Sequence, residues 1–141
     1  MPRFLLAFML LNLSALAQAE IVVENAYVRA PPPGGEVGAA YMLLRNTAKD
    51  AVALVGAQSS AAHQVTLHSS MNHNGMMHMM TTSSLSIPAQ GALVLKSGGA
   101  HLMLEELEGT LEPGGDVALT LHFDDGSSVS IQAPVRSVLD E

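Results

Sequence analysis

Proline and glycine clusters cut this chain into short segments, and that punctuation constrains the fold more than any other feature. Pro31-Pro32-Pro33-Gly34-Gly35, Ile87-Pro88-Ala89-Gln90-Gly91, Ser97-Gly98-Gly99 and Glu112-Pro113-Gly114-Gly115 recur along it. Proline cannot continue a ladder and glycine permits sharp turns, so each cluster is a stop. Between the stops, apolar and polar residues alternate with period two, as in Ile21 to Ala30 (IVVENAYVRA). That is the pattern of a half-buried strand. Further strands are expected at Gly38–Asn46, Ala51–Gln58, Val65–His68, Met76–Thr82, Ala92–Lys96, His101–Leu107, Val117–Phe123 and Ser128–Ala133. Asp125-Gly126 between two alternating runs is a strong hairpin signal. Arg136 to Glu141 reads as a frayed tail. Short strands at intervals of roughly 10–12 residues, with no sustained helical period, predict a single all-β domain, a Greek-key β-sandwich or barrel.

Such a domain needs a core, and here it must be made with few rings. Apolar residues supply 48% of the chain but aromatics only 4%, which leaves Val, Leu, Ala and Met to fill the interior. The net charge of −7 lacks the basic footprint that nucleic-acid binding requires. Cysteine is absent, which removes disulfides, thiolate zinc sites, iron–sulfur clusters, cysteine nucleophiles and the thiolate of blue copper. Residues 1–19 read as a cleavable signal peptide: Arg3, an apolar run from Phe4 to Leu16, then Ala17-Gln18-Ala19 before the cut. The run is shorter than the ~20 apolar residues of a membrane span and carries Asn12 and Ser14. The expected product is residues 20–141, exported to the periplasm as a soluble monomer with no stable membrane insertion.

One stretch is poor core material. Between His63 and Met103 lie five of the six histidines and six of the nine methionines, in company with Ser, Thr, Asn and Gly. Methionine ordinarily fills gaps in cores. Thioethers mixed with imidazoles, with no thiol, instead suit a soft monovalent cation, above all Cu(I). In a strand, His101 and Met103 share a face about 7 Å apart. His68 ends its strand on the face opposite Val65 and Leu67, and Met79 lies on the segment returning from the Asn72–Gly75 turn. Bringing the two segments together would converge two imidazole nitrogens and two thioether sulfurs. That set carries no charge, which favours Cu(I) over Zn(II) or Mg(II).

The spacing is itself specific: His68, ten residues, Met79, twenty-one residues, His101, one residue, Met103. This H-x10-M-x21-H-x-M pattern resembles the signature of the periplasmic copper chaperones called PCu(A)C. The flanking text is similar to the same family: IVVENAYVRAPPPGGEVGAAYMLLRN, GMMHM and IPAQGALVLKSGGAHLML. The resemblance spans nearly all of residues 20–141. It implies a cupredoxin-like β-sandwich with one exposed Cu(I) site made by His68, Met79, His101 and Met103. It also implies delivery of copper toward the apo CuA site of cytochrome c oxidase, alongside Sco-type copper proteins. Some members add a His- and Met-rich C-terminal tail that takes a second copper, often Cu(II). Nothing of that kind precedes Glu141, so any secondary site would fall to Met71, His73, Met76, Met77, His78 and Met80, of which Met71, His73 and His78 are read as lying in a mobile turn.

Each residue also has a blander reading. His63 and His122 have no partner by spacing and read as structural, Met42 as core, and Asp124-Asp125 as turn chemistry. A histidine-brace oxidase would need an N-terminal histidine where cleavage leaves Glu20, and no Ser–His–Asp or paired-acid constellation stands out. The chain is therefore read as a non-enzyme. Storage or resistance by sequestering Cu(I) uses the same ligands as delivery and stays open.

Overall fold

A computed structural model describes residues 20–140; the signal-peptide reading of residues 1–19 lies outside it. The alternation becomes ten strands: β1 (Ile21–Arg29), β2 (Gly38–Asn46), β3 (Val52–Gln58), β4 (Ala62–His73), β5 (Met76–Thr82), β6 (Leu85–Ile87), β7 (Ala92–Leu95), β8 (His101–Leu107), β9 (Asp116–Phe123) and β10 (Ser128–Arg136). One 3₁₀ turn, Val138–Asp140, follows. Hydrogen bonding runs in the order β5-β4-β8-β2-β1-β10-β9-β3-β6, with β7 added beside β2. Every pairing is antiparallel except β1 with β10, which is parallel.

This ribbon folds over into two layers, β5-β4-β8-β2-β1 with β7 on one side and β10-β9-β3-β6 on the other. Leu44, Leu67, Leu102 and Leu104 of the first layer join Leu54, Ile87, Leu119 and Leu121 of the second in one buried cluster. Each leucine so buried contributes roughly 1.5–3 kcal/mol by transfer from water. Met42 belongs to this core, as its position in β2 predicts. Asn46 is buried with them but satisfied: its amide nitrogen donates to the carbonyls of Asp50 and Ile87, and its amide oxygen accepts from the Ala48 N–H.

Three details differ from the sequence expectation. β4 reaches His73 rather than stopping at His68, so the region read as a mobile turn is ordered ladder; only Asn74 and Gly75 turn the chain, at φ 53° and 80°. β6 is added before Pro88 because Val52, Ala53 and Leu54 of β3 offer it an edge. Arg136 is no frayed residue: it ends β10, pairs with Arg29, and its carbonyl accepts from the Ala30 N–H.

Two irregularities set up the site. Between Glu24 and Tyr27 the β1–β2 register shifts, and Asn25 takes the left-handed conformation (φ 54°) that asparagine tolerates. This bulge brings Tyr27 opposite Tyr41. On the other edge of β2, β7 and β8 lie end to end, β7 against Met42–Arg45 and β8 against Gly38–Ala40. The Lys96–Ala100 loop that separates them delivers His101 at the first position of β8.

Candidate metal centre

Register decides which of the His and Met side chains can meet. In β4 and β8, Leu67 faces Leu102 and Val65 faces Leu104, and these point into the core. His68 faces His101 and Thr66 faces Met103, so they lie on the outer face. Residues directly opposite in antiparallel strands share a face with Cβ atoms about 4.5–5.5 Å apart. The two imidazoles stack, with centroids 5.3 Å apart and planes 13° from parallel. On the far side of β4, Ser70 faces Met79, and Ser70 is two residues from His68. Met79 therefore lies on the same outer face, and all four residues of the spacing motif share one face across β5, β4 and β8.

Their surroundings differ. His101 is only 5% exposed although it points away from the core, because neighbouring rings cover it. Tyr41 of β2 lies with its ring 6.2 Å from His101, and Tyr27 of β1 continues the row 5.3 Å beyond. Arg29 sits over Tyr41 and Arg136 over Tyr27, at 5.2 and 4.6 Å from the ring centroids. Met79 at the open end is 53% exposed. The set thus runs from a buried imidazole to a thioether in solvent.

Hydrogen bonds orient both rings. His101 Nδ1 lies 2.9 Å from the Gly99 carbonyl oxygen. A carbonyl only accepts, so Nδ1 carries the proton and Nε2 presents its lone pair. Such an outer hydrogen bond is the usual way a metal-binding histidine is fixed in tautomer and direction. His68 Nε2 lies 2.8 Å from the Thr66 hydroxyl, which either donates to that nitrogen or accepts from it. Burial holds the His68 pKa below its ordinary 6.5, the neighbouring His101 adds to this, and Glu105 opposes it. A neutral imidazole is the form that binds metal. Two neutral imidazoles and two thioethers on one face are a donor set for a soft cation.

The six accessory candidates are all exposed on the β4–β5 hairpin and fall on two faces. Met77 faces Asn72, on the side of Met79, while Met71 faces His78, His73 faces Met76 and Met80 faces Ser69, on the other side. Of the residues read as structural, His63 pairs with Glu108 at the surface, and Asp124 and Asp125 accept from the N–H groups of Ala53 and Ser127. Thr66 was within reach of sequence reasoning, since it stands two residues before His68 on the same strand face. Tyr41 and Gly99 were not, because only non-local pairing and a loop carbonyl bring them to the rings.

The two-layer β-sandwich is the fold of solved PCuAC domains. The chain superposes with a TM-score of 0.71 on the copper-bound PCuAC domain from PmoF2, at 23% identity, over 86% of this chain and 99% of that one. It superposes with a TM-score of 0.70 on the solution structure of CuI-DR1885 from Deinococcus radiodurans, at 37% identity, over 86% of this chain and 83% of that one. A family model described as "Putative lipoprotein LpqE-like" matches residues 21–135. The chain belongs to this LpqE-like family, which bears out the PCu(A)C resemblance. One relative, "Putative lipoprotein Lxx21020" of Leifsonia xyli subsp. xyli, is 38% identical over 117 residues, 82% of this chain and 69% of its own length.

Proposed function

We propose that this protein is an exported Cu(I) carrier that holds the ion with His68, Met79, His101 and Met103 and passes it to an acceptor. The observation that carries the reading is the shared outer face: His68 stacked on His101, with Met103 and Met79 on the same side of β8 and β5. The name of the Deinococcus radiodurans relative supports Cu(I) as the cargo. The open Met79 end suits hand-over, because an acceptor's ligands can attack there before the imidazoles let go. The expected destination is the apo CuA site of cytochrome c oxidase, directly or with a Sco-type protein, in the periplasm after removal of residues 1–19. Among the described residues no helix is long and apolar enough to cross a membrane. The imidazoles of His68 and His101 are proposed as copper donors rather than as catalytic bases, so transport rather than catalysis is the role proposed.

The test is transfer. Cu(I)-loaded protein is mixed anaerobically with an apo CuA domain, and the acceptor's optical bands are followed after reoxidation. Appearance of the bands with wild type, and their loss with His101→Ala, is expected. Retention of copper by the wild type against a competent apo acceptor would replace delivery with storage.

A further inference from the structure

The β4–β5 hairpin carries more sulfur than one site can use, and register sorts it. The face turned away from His68 holds Met71 opposite His78, His73 opposite Met76, and Met80 opposite Ser69. The first two pairs are adjacent rows, about 7 Å apart along the strands, and within a row the Cβ atoms are about 5 Å apart. Two imidazoles and two thioethers therefore stand at the corners of a small rectangle, with Met80 one row further in. These are long, freely rotating side chains: Met71, Met76 and Met80 are 53%, 64% and 48% exposed. None belongs to the core. Packing does not account for three exposed methionines on one face of an edge hairpin, and such exposed apolar groups mark a binding function.

We infer that Met71, His73, Met76 and His78, assisted by Met80, form a second Cu(I) site on the opposite face of the hairpin from the first. The donor chemistry repeats that of the first site, two neutral nitrogens and soft sulfurs without a thiolate, so it selects the same class of ion. The inference rests on the proposed carrier reading only for the identity of the metal. Its ligands are separate, because the two faces of a strand do not meet. Met77, facing Asn72 on the side of Met79, falls outside this second set. Solvent exposure of every donor makes it the weaker and faster-exchanging of the two.

Anaerobic Cu(I) titration of the purified protein against a chromogenic chelator, with methionine methyl groups labelled in 13C, separates the sites. Wild type is expected to take two equivalents. The first should shift the methyls of Met79 and Met103, the second those of Met71 and Met76. His73→Gln with His78→Gln should lose the second equivalent and keep the first. His68→Gln with His101→Gln should lose the first and keep the hairpin shifts, even if the carrier reading is wrong. One equivalent in the wild type, with the Met71 and Met76 methyls unmoved, overturns the second site and leaves the first standing. So does a second equivalent that survives the His73 and His78 substitutions.

Discussion

At the scale of single residues, the Thr66 hydroxyl is the sharpest control on the site, because it occupies His68 Nε2. If copper takes that nitrogen, the hydrogen bond must first break. A net hydrogen bond is worth about 0.5–1.5 kcal/mol. Thr66→Val, nearly the same shape, should therefore tighten Cu(I) binding by roughly two- to tenfold. Unchanged affinity in a chelator competition would assign Nδ1 as the donor. His101→Ala removes a donor outright and should weaken Cu(I) by roughly tenfold or more, since even losing a ligand's outer partner costs 10–100-fold. Protons bear on the same residue pair. Burial and the adjacent His101 hold His68 below 6.5 in the fold, whereas the unfolded chain protonates it near 6.5. As pH falls, the unfolded state takes the proton first, so the metal-free fold loses stability from about 6.5 downward, and the loss is complete below the folded value. Urea midpoints measured at pH 7.5 and 5 should fall on acidification for wild type and fall less for His68→Gln. An equal fall in both would show that His68 is not the group responsible.

At the scale of elements, the β4–β5 hairpin is the part whose order owes least to burial. Every residue of β5 except Thr82 is exposed, so the strand is held by its ladder to β4 and by the Asn74-Gly75 turn. Both turn residues are left-handed, the geometry of a tight hairpin turn in which asparagine and glycine are favoured. Gly75→Val puts a β-branched side chain into that conformation, at a cost of about 1–2 kcal/mol. Amide exchange in Met76–Thr82 should quicken while β8 and β9 stay protected, and Cu(I) should weaken through Met79. Protection unchanged in β5 would mean the ladder alone holds the hairpin. The same contrast explains what could be read in the sequence. β8 and β9 alternate cleanly because a core demands it, and His101 and Met103 fell on the outer face by that rule. The second half of β4 did not read as strand because Ser69, Ser70 and Asn72 supply no apolar alternation; its order comes from β5, a partner that alternation does not reveal. β6, the three residues before Pro88, buries Leu85 and Ile87 but is too short for its alternation to read as a strand. The end-to-end placement of β7 and β8, which hands His101 the Gly99 carbonyl, is a non-local fact with no sequence signal.

At the scale of the whole molecule, fold and site use opposite faces of the same strands, and the two should respond separately to mutation. In β8, Leu102 and Leu104 point into the core while His101 and Met103 point out. Leu104→Ala should cost about 2–5 kcal/mol of stability, with one Cu(I) still held at the outer face at low temperature. The closure between layers is the second whole-molecule feature. β10 meets β1 in parallel at only two registered pairs, Val28 with Val135 and Arg29 with Arg136, beside the Ala30-to-Arg136 hydrogen bond and the Arg136 cation over Tyr27. A chain ending at Val135 loses that hydrogen bond, about 0.5–1.5 kcal/mol, and a surface cation–π contact of about 0.5–1 kcal/mol. It keeps Val135 in the core and keeps every proposed copper donor. The expected result is a urea midpoint lowered in proportion to about 1–2.5 kcal/mol, with Cu(I) stoichiometry unchanged. Tyr27 is the far end of the ring row that covers His101, so a loss of copper affinity in this truncation would carry a distinct meaning. It would show that the parallel closure supports the site through Tyr27 and Tyr41, and that fold and site are coupled across β1, β2 and β8 rather than separated by the faces of the sheet.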